Sequence, residues 1–151
     1  GPGGIGHGSF VLEAVREGLI DVERSVQVGI RTVAPRDCGI AVIDAYEAQE
    51  LGVAGTARRI RERVGEGAAY LTFDIDALDP AFAPGTGTPV WGGLASWQAA
   101  AMLRDLAGIN MVGGDIVEVS PAYDTTGATA IAGAHVAYEL ICLYHWARTR
   151  R

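Results

Sequence analysis

Lysine is absent from this sequence of 151 residues, in which all 12 cationic side chains are arginine. Its absence excludes Schiff-base chemistry and a lysine general base, since both require an ε-amino group. Cysteine occurs only at Cys38 and Cys142, too far apart for a metal-binding or redox pair, so we expect two reduced thiols in a cytoplasmic protein. No apolar run is long enough to cross a bilayer, so we expect no membrane partner.

The charge balance argues against a nucleic-acid partner. The formal net charge is −6, and phosphate binding requires clustered cations. The four arginines at 58–63 are mixed with Glu62 and are typical of a solvated helix face. With 49% apolar and 20% charged residues, the chain has the composition of a single globular domain.

Strand-like and helix-like patterns alternate along the chain. Four β-rich apolar runs occur at 25–31, 39–44, 68–76 and 110–119. Helical patterns occur from Ser9 to Gly18, at 56–64, from Ser96 to Leu106 and at about 126–146, and Ser9 and Ser96 are the predicted N-caps of their helices. Because the strand runs are continuously apolar, we expect both of their faces to be covered. The sequence therefore predicts an α/β fold, a three-layer α/β/α arrangement with a mainly parallel sheet.

Acidic residues end the third and fourth predicted strands. Asp74 and Asp76 should point the same way, because side chains alternate along an extended strand, and Glu118 follows on the next strand. Ligands in such folds bind beyond the carboxyl ends of the strands, and paired carboxylates suit Mn²⁺ or Mg²⁺. The Asp-Xaa-Asp triplet alone is weak, and by itself it favours turn capping by Asp76 and Asp79 ahead of Pro80, with Asp74 a solvated strand end.

The longer motif around the triplet resembles the signature of the ureohydrolases, the arginase and agmatinase family. The stretch PheAspIleAspAlaLeuAspProAlaPheAlaProGlyThrGlyThrPro at 73–89 is the most specific part. The resemblance continues in GlyGlyAspIleValGluValSerPro at 113–121 and in Tyr123, Asp124 and Thr129. It also includes HisGlySerPhe at 7–10 and ValGlyIleArg at 28–31, with agmatinase-like members the most similar.

The resemblance implies a role for each of five residues. Asp74 and Asp76 match aspartates that ligate two Mn²⁺ ions, between which a hydroxide attacks the guanidinium carbon to give urea and an amine. His7 matches a proton shuttle, and Glu118 matches the acid that holds the substrate guanidinium. Thr88 matches a threonine that lines the same pocket. Without the resemblance, His7 would be interpreted as a solvated loop histidine, Glu118 as a strand-end charge and Thr88 as a turn hydroxyl.

The chain departs from the family in length and in metal ligands. Family members are roughly double this length, and their AspAlaHisXaaAsp segment, which supplies most of the metal ligands, has no counterpart here. We therefore expect residues 1–151 to be the carboxyl-terminal part of a single ureohydrolase domain, half of an arginase-like fold, without the amino-terminal half. Alone, the chain should bind Mn²⁺ weakly and release no urea, because two aspartates cannot fill two coordination spheres.

Two other functions are compatible with parts of the sequence. An inactive remnant that serves as an interaction or assembly module would lack bound metal. A haloacid-dehalogenase-like phosphatase also begins with Asp-Xaa-Asp after a strand, but Leu78 and the absence of lysine disfavour it. Because half of a sheet would expose an edge and an apolar face, we also expect a homo-oligomer. Which guanidino compound is the substrate is left open.

Several remaining residues are predicted to be structural. Trp91 and Trp97 flank the glycine-rich loop, and core packing is favoured over a wall for the substrate chain. His135 and His145 lie on the closing helix, where packed or surface positions are favoured over metal ligation. Asp115 and Asp124 are at most neighbours of a metal ligand.

Overall fold

The computed structural model describes residues 6–33 and 38–149. It contains eight regular elements in chain order, which are α1 (Phe10–Arg16), β1 (Val26–Ile30), β2 (Ala41–Asp44), α2 (Ala45–Val64), β3 (Ala69–Asp74), α3 (Ser96–Asp105), β4 (Met111–Val117) and α4 (Ala128–Thr149). Short 3₁₀ turns lie at Val22–Arg24, Ile75–Ala77 and Pro121–Tyr123. The alternation of strands and helices confirms the α/β class.

Strand pairing is parallel throughout the described residues, but it is divided. β1 pairs with β2 and β3 pairs with β4, so the four strands form two separate two-stranded sheets and not the single continuous sheet that we expected. A cleft of about 300 Å³ separates β1 from β3. Side chains from both strands, from α1 and from α3 line it, including Phe10, Val28, Phe73, Met102 and Leu103.

The core lies beneath the strands, where α2, α3 and α4 pack side by side. α2 contacts β1, α4 contacts β4, and α3 lies between the two helices. Apolar side chains recur on the inward faces of these helices and are buried together, including Ile60, Met102, Leu103, Leu140 and Leu143. This layer fixes the direction of all four strands, and therefore the edge at which their carboxyl ends meet.

The opposite face of β3 and β4 is partly open, against the expectation that both faces are covered. Tyr70 is 63% exposed, and Val112 and Val117 are also exposed. Burial along β3 alternates from residue to residue, as in a sheet that is covered on one side. Within the described residues, no helix is both long and apolar enough to span a membrane.

Two predicted helix starts differ in their caps. Ser96 is the first residue of α3 and not its N-cap. The N-cap is Ala95, whose backbone N–H donates a hydrogen bond to the side chain of Gln98. Ser9 stands at the predicted cap of α1, but its hydroxyl bonds to Gly6 instead of the helix. Both helices lie where their apolar spacing places them, because burial of an apolar face contributes more than a single cap.

Candidate active site

The predicted carboxylates meet at the carboxyl ends of β3 and β4. In the register of this pair Asp74 lies opposite Val117, so Glu118 emerges beside Asp74. Burial and the negative charges of Asp76 and Glu118 raise the pKa of Asp74 to about 6. The N–H of Asp76, which donates to Oδ1 of Asp74 at 3.0 Å, acts in the opposite direction. The three carboxylates therefore lie close enough to repel one another.

The route by which Asp76 reaches the site differs from the prediction. β3 ends at Asp74, and Asp76 lies in the 3₁₀ turn Ile75–Ala77, for which Asp74 is the cap. Strand alternation therefore does not explain why the two carboxylates are close. A tight turn brings them together, because its geometry places the N–H of Asp76 on the carboxylate of Asp74.

His7 and Glu118 are in direct contact. Nδ1 of His7 lies 2.6 Å from Oε1 of Glu118, and the side chain of Glu118 is 27% exposed. Glu118 has a backbone φ of +64°, the left-handed region that side chains other than glycine rarely adopt. Backbone strain of this kind is frequent at functional sites, where it turns a side chain in a direction that a regular strand cannot give.

Thr88 reaches the site from the loop that follows β3. Its hydroxyl donates to Oδ2 of Asp76 at 3.0 Å. Asp74, Asp76 and Thr88 line one cavity of about 330 Å³ together with residues from the end of β1. All five residues singled out from the sequence are thus brought to one edge of the fold.

The glycine-rich loop is held against the body of the molecule by close backbone contacts. A Cβ on Gly85 would lie 2.6 Å from Cβ of Asp124 and 3.0 Å from Oγ1 of Thr129. A Cβ on Gly93 would lie 2.5 Å from the backbone nitrogen of Asp79. Glycine is required at both positions because the loop is packed too tightly for any side chain.

Asp79, which the sequence suggests as a turn cap, and Asp124, predicted to be at most a neighbour of a metal ligand, hold this part of the chain in place. Asp79 accepts hydrogen bonds from the N–H groups of Ala81, Gly92 and Gly93, and these bonds lower its pKa. Asp124 accepts from the side chain and backbone of Thr126 and from the N–H of Thr129, ahead of α4, so its pKa is also lowered. Both are structural caps.

Other residues lie away from the carboxylate cluster or play no part in it. Trp91 is 86% exposed and Trp97 is 65% exposed, so the prediction of core packing is wrong for both. Trp91 lies in the loop that follows β3, whereas Trp97 is the second residue of α3 and lines the groove between α3 and α4. Asp115 accepts hydrogen bonds from Tyr70 and Thr72 on β3. His135 lines a groove between α3 and α4, and His145 is exposed on α4.

The carboxylates fit a divalent cation in kind but not in number. Asp74, Asp76 and Glu118 repel one another at neutral pH, and a hard cation with oxygen ligands relieves such repulsion. Within 6–33 and 38–149, however, no group of three or more His, Cys, Asp or Glu side chains is arranged to hold a metal ion. The described residues alone therefore do not form a complete metal site.

Parallel strands with flanking helices and a cluster of acids at the strand ends define an α/β protein with a ligand site at the sheet edge. The family profile described as the Arginase family matches residues 1–142. The chain therefore belongs to the arginase family, the ureohydrolases.

Individual relatives agree with this assignment. Guanidinopropionase of Pseudomonas aeruginosa is 50% identical over 145 residues, which are 91% of this chain and 46% of that protein. A crystal structure of a hypothetical agmatinase from Burkholderia thailandensis superposes with a TM-score of 0.90 at 57% identity, over 93% of this chain and 45% of that one. Proclavaminate amidino hydrolase from Streptomyces clavuligerus gives 0.89 at 44% identity, over 94% and 50%. The chain thus spans about half the length of these relatives, and its arginase-like fold is confirmed.

Proposed function

We propose that this chain carries part of an active site that hydrolyses a guanidino compound, such as agmatine, to urea and an amine with the help of manganese. The observation that carries the proposal is the convergence of Asp74, Asp76 and Glu118, with His7 bonded to Glu118. The names of the related proteins, agmatinase and guanidinopropionase, indicate guanidino substrates. Family membership makes the hydrolase class the natural reading of this cluster.

Asp74 and Asp76 are the residues that would hold the metal. The chemistry that a pair of Mn²⁺ ions would supply when bound is a water acidic enough to act as a nucleophile near neutral pH. Two carboxylates are too few for two ions, so the other ligands would come from outside the described residues. We propose that they belong to an amino-terminal part of the same domain, and that the chain alone binds Mn²⁺ weakly without turnover.

Glu118 is the residue that would hold the substrate. Oε1 is engaged with Nδ1 of His7, whereas Oε2 faces the glycine-rich loop near Gly87. A planar guanidinium cation pairs well with a carboxylate, because its N–H groups match the carboxylate oxygens. Thr88, beside Asp76, would line the same side of the pocket.

His7 is placed to move a proton. With Nδ1 donating to Glu118, the ring is oriented and Nε2 is the nitrogen that can exchange a proton with the substrate. When water adds to the guanidinium carbon and the carbon–nitrogen bond to the alkyl chain breaks, the leaving amine needs a proton. His7 would pass to it a proton released by the attacking water, so that an alkylammonium ion leaves, urea remains and the total charge is unchanged.

A urea-release assay tests the proposal. The chain is expressed alone and also in its native genomic context, each with Mn²⁺ and a panel of agmatine, 3-guanidinopropionate, 4-guanidinobutyrate and arginine. We expect urea only from the native-context protein, with Glu118→Gln lowering kcat/KM by about 100-fold or more because a charged hydrogen bond is lost. Mass spectrometry of the protein from its source shows the length of the natural product.

Two outcomes would contradict the proposal. Failure of the native-context protein to release urea from every guanidino compound in the presence of Mn²⁺ would overturn the function. Rapid turnover by the 151-residue chain alone would leave the function but overturn the proposed shortage of ligands.

A further inference from the structure

Arg31, at the carboxyl end of β1, directs its guanidinium at backbone carbonyls. Nη2 donates to the carbonyl oxygens of Asp76 and Val90, both at 2.6 Å. Nη1 donates to the carbonyl of Gly29 at 3.0 Å and lies 3.5 Å from that of Ala77. Nε is buried without a partner among the described residues, so the two terminal nitrogens hold the side chain.

The carbonyl groups that accept these hydrogen bonds lie in three separate segments. Gly29 lies in β1, Asp76 lies in the 3₁₀ turn after β3, and Val90 lies in the loop that carries Thr88. β1 belongs to one sheet and β3 to the other, so Arg31 connects the two sheets across their divided edge. Four carbonyls around one planar cation form an arrangement that a lysine could not reproduce, since it lacks the guanidinium fork.

These contacts surround a pair of residues in the candidate site. Thr88 donates to the carboxylate of Asp76, while Arg31 holds the backbone of Asp76 on one side and that of Val90, two residues after Thr88, on the other. Arg31 also lines the cavity that contains Asp74, Asp76 and Thr88. Loss of Arg31 would release the backbone at Asp76 and at Val90 at the same time.

We propose that Arg31 is a positioning residue, which fixes Asp76 and Thr88 in place and thereby sets the affinity of this edge for a divalent cation. The first part of the inference concerns the loop and rests on contacts within the chain. The second part, on metal affinity, rests on the proposed function. Arg31 itself touches neither substrate nor metal in this account.

Hydrogen–deuterium exchange of the 151-residue chain tests the first part. Arg31→Met removes all of the donors, and Arg31→Lys keeps the charge with fewer of them. We expect amides in residues 76–93 to exchange at least tenfold faster in Arg31→Met and by a smaller factor in Arg31→Lys. Circular dichroism checks that each variant is folded, and Arg31→Lys decides the matter if Arg31→Met does not fold.

Arg63 provides a matched control. It also donates to backbone carbonyls, those of Val22 at 3.0 Å and Ser25 at 3.3 Å, away from the carboxylate cluster. Arg63→Met should speed exchange near residues 22–25 and leave residues 76–93 at the wild-type rate. Equal acceleration of residues 76–93 in both variants would mean general destabilisation and would overturn the inference.

Manganese binding, followed by electron paramagnetic resonance, tests the second part. We expect Arg31→Met to weaken Mn²⁺ binding at least tenfold, Arg31→Lys to restore part of the affinity, and Arg63→Met to match the wild type. Wild-type exchange and wild-type affinity in a folded Arg31 variant would overturn the inference. If the wild-type chain binds no Mn²⁺ but the loop still loosens in the variant, the metal role fails while the positioning role stands.

Discussion

Glu118 and Asp74 each occupy a state that costs stability. Glu118 has a backbone angle that favours glycine, and Asp74 must ionise beside two other carboxylates. Neither arrangement is needed for the packing of the fold, because Asp74 is the last residue of β3 and Glu118 follows β4, so both lie at the sheet edge. Such costs are typical of sites whose geometry serves binding and not stability.

Asp74→Asn should stabilise the metal-free chain at neutral pH. Because the folded-state pKa of about 6 is above the usual value of the carboxyl, the ionised form is disfavoured in the fold, and stability is lost as pH rises through 6. We expect a gain on the order of 1 kcal/mol at pH 7.5, after allowance for solvent screening of a half-buried group, and no gain at pH 4. Urea unfolding at the two pH values measures it, and a loss of stability at pH 7.5 would contradict the proposed repulsion.

Glu118→Gly should stabilise the fold while it removes the proposed substrate contact. Glycine adopts a φ of +64° without the steric cost borne by glutamate, so we expect a gain of about 1 kcal/mol. Glu118→Gln retains the strain and removes the same negative charge beside Asp74, so it serves as the control and should gain less stability than Glu118→Gly. Chemical unfolding of both variants checks this, and equal stabilities would show that the backbone angle carries no cost.

The loop from Ala77 to Ala95 is the element that completes the site. The loop is fixed at Gly85 in its middle and at Gly93 near its end, where side chains do not fit, and by the hydrogen bonds of Asp79 and Arg31. The loop is therefore ordered by contacts along its length even though it contains no helix or strand. This explains why proline, glycine and threonine follow the two aspartates at once.

Gly85→Ala should destabilise the protein and disturb the loop. The added Cβ meets Cβ of Asp124 and the carbonyl of Ser120, both within 3.1 Å, so the loop must shift. We expect a loss of about 1–3 kcal/mol, as is usual for overpacking. Gly87→Ala is the control, because its Cβ meets only Oε2 of Glu118, at 3.7 Å, and it should stay near the wild-type stability in thermal unfolding. Equal stabilities of the two variants would contradict the account.

The strands and the motif residues could be predicted because local patterns determine them. Two apolar runs in the sequence end near the acidic residues Asp74 and Glu118, and the structure brings these two residues together. The turn that carries Asp76 could not be predicted from strand periodicity, because only a local hydrogen bond reveals it. Arg31 belongs to the ValGlyIleArg motif, but its contacts could not be predicted because its carbonyl partners are distant in sequence. The exposure of Trp91 and Trp97 could not be predicted, because the sequence alone does not show which side chains would cover an indole ring.

At the scale of the molecule, the two sheets leave apolar surface open to solvent. β1 and β3 face each other across an apolar cleft, and the outer face of β3 and β4 is partly open. Among the described residues, no strand pairs across the cleft. Exposed edges and apolar patches of this kind favour association.

The isolated chain should therefore self-associate. We expect sedimentation velocity to give a concentration-dependent species larger than a 15.8 kDa monomer, because association buries the open strand face. Added salt should have little effect on the size of this species, because the surface that association buries is apolar. A single monomeric species at all concentrations would contradict the prediction.

The central claim is that Asp74 and Asp76 form one side of a divalent-cation site. The most direct test is a titration of the 151-residue chain with Mn²⁺, followed by electron paramagnetic resonance, beside Asp74→Asn/Asp76→Asn and, as a control for an acid elsewhere, Asp115→Asn. The account predicts weak binding by the wild type and the control, lost in the double variant. Binding that survives the double variant, or none in the wild type, would contradict it.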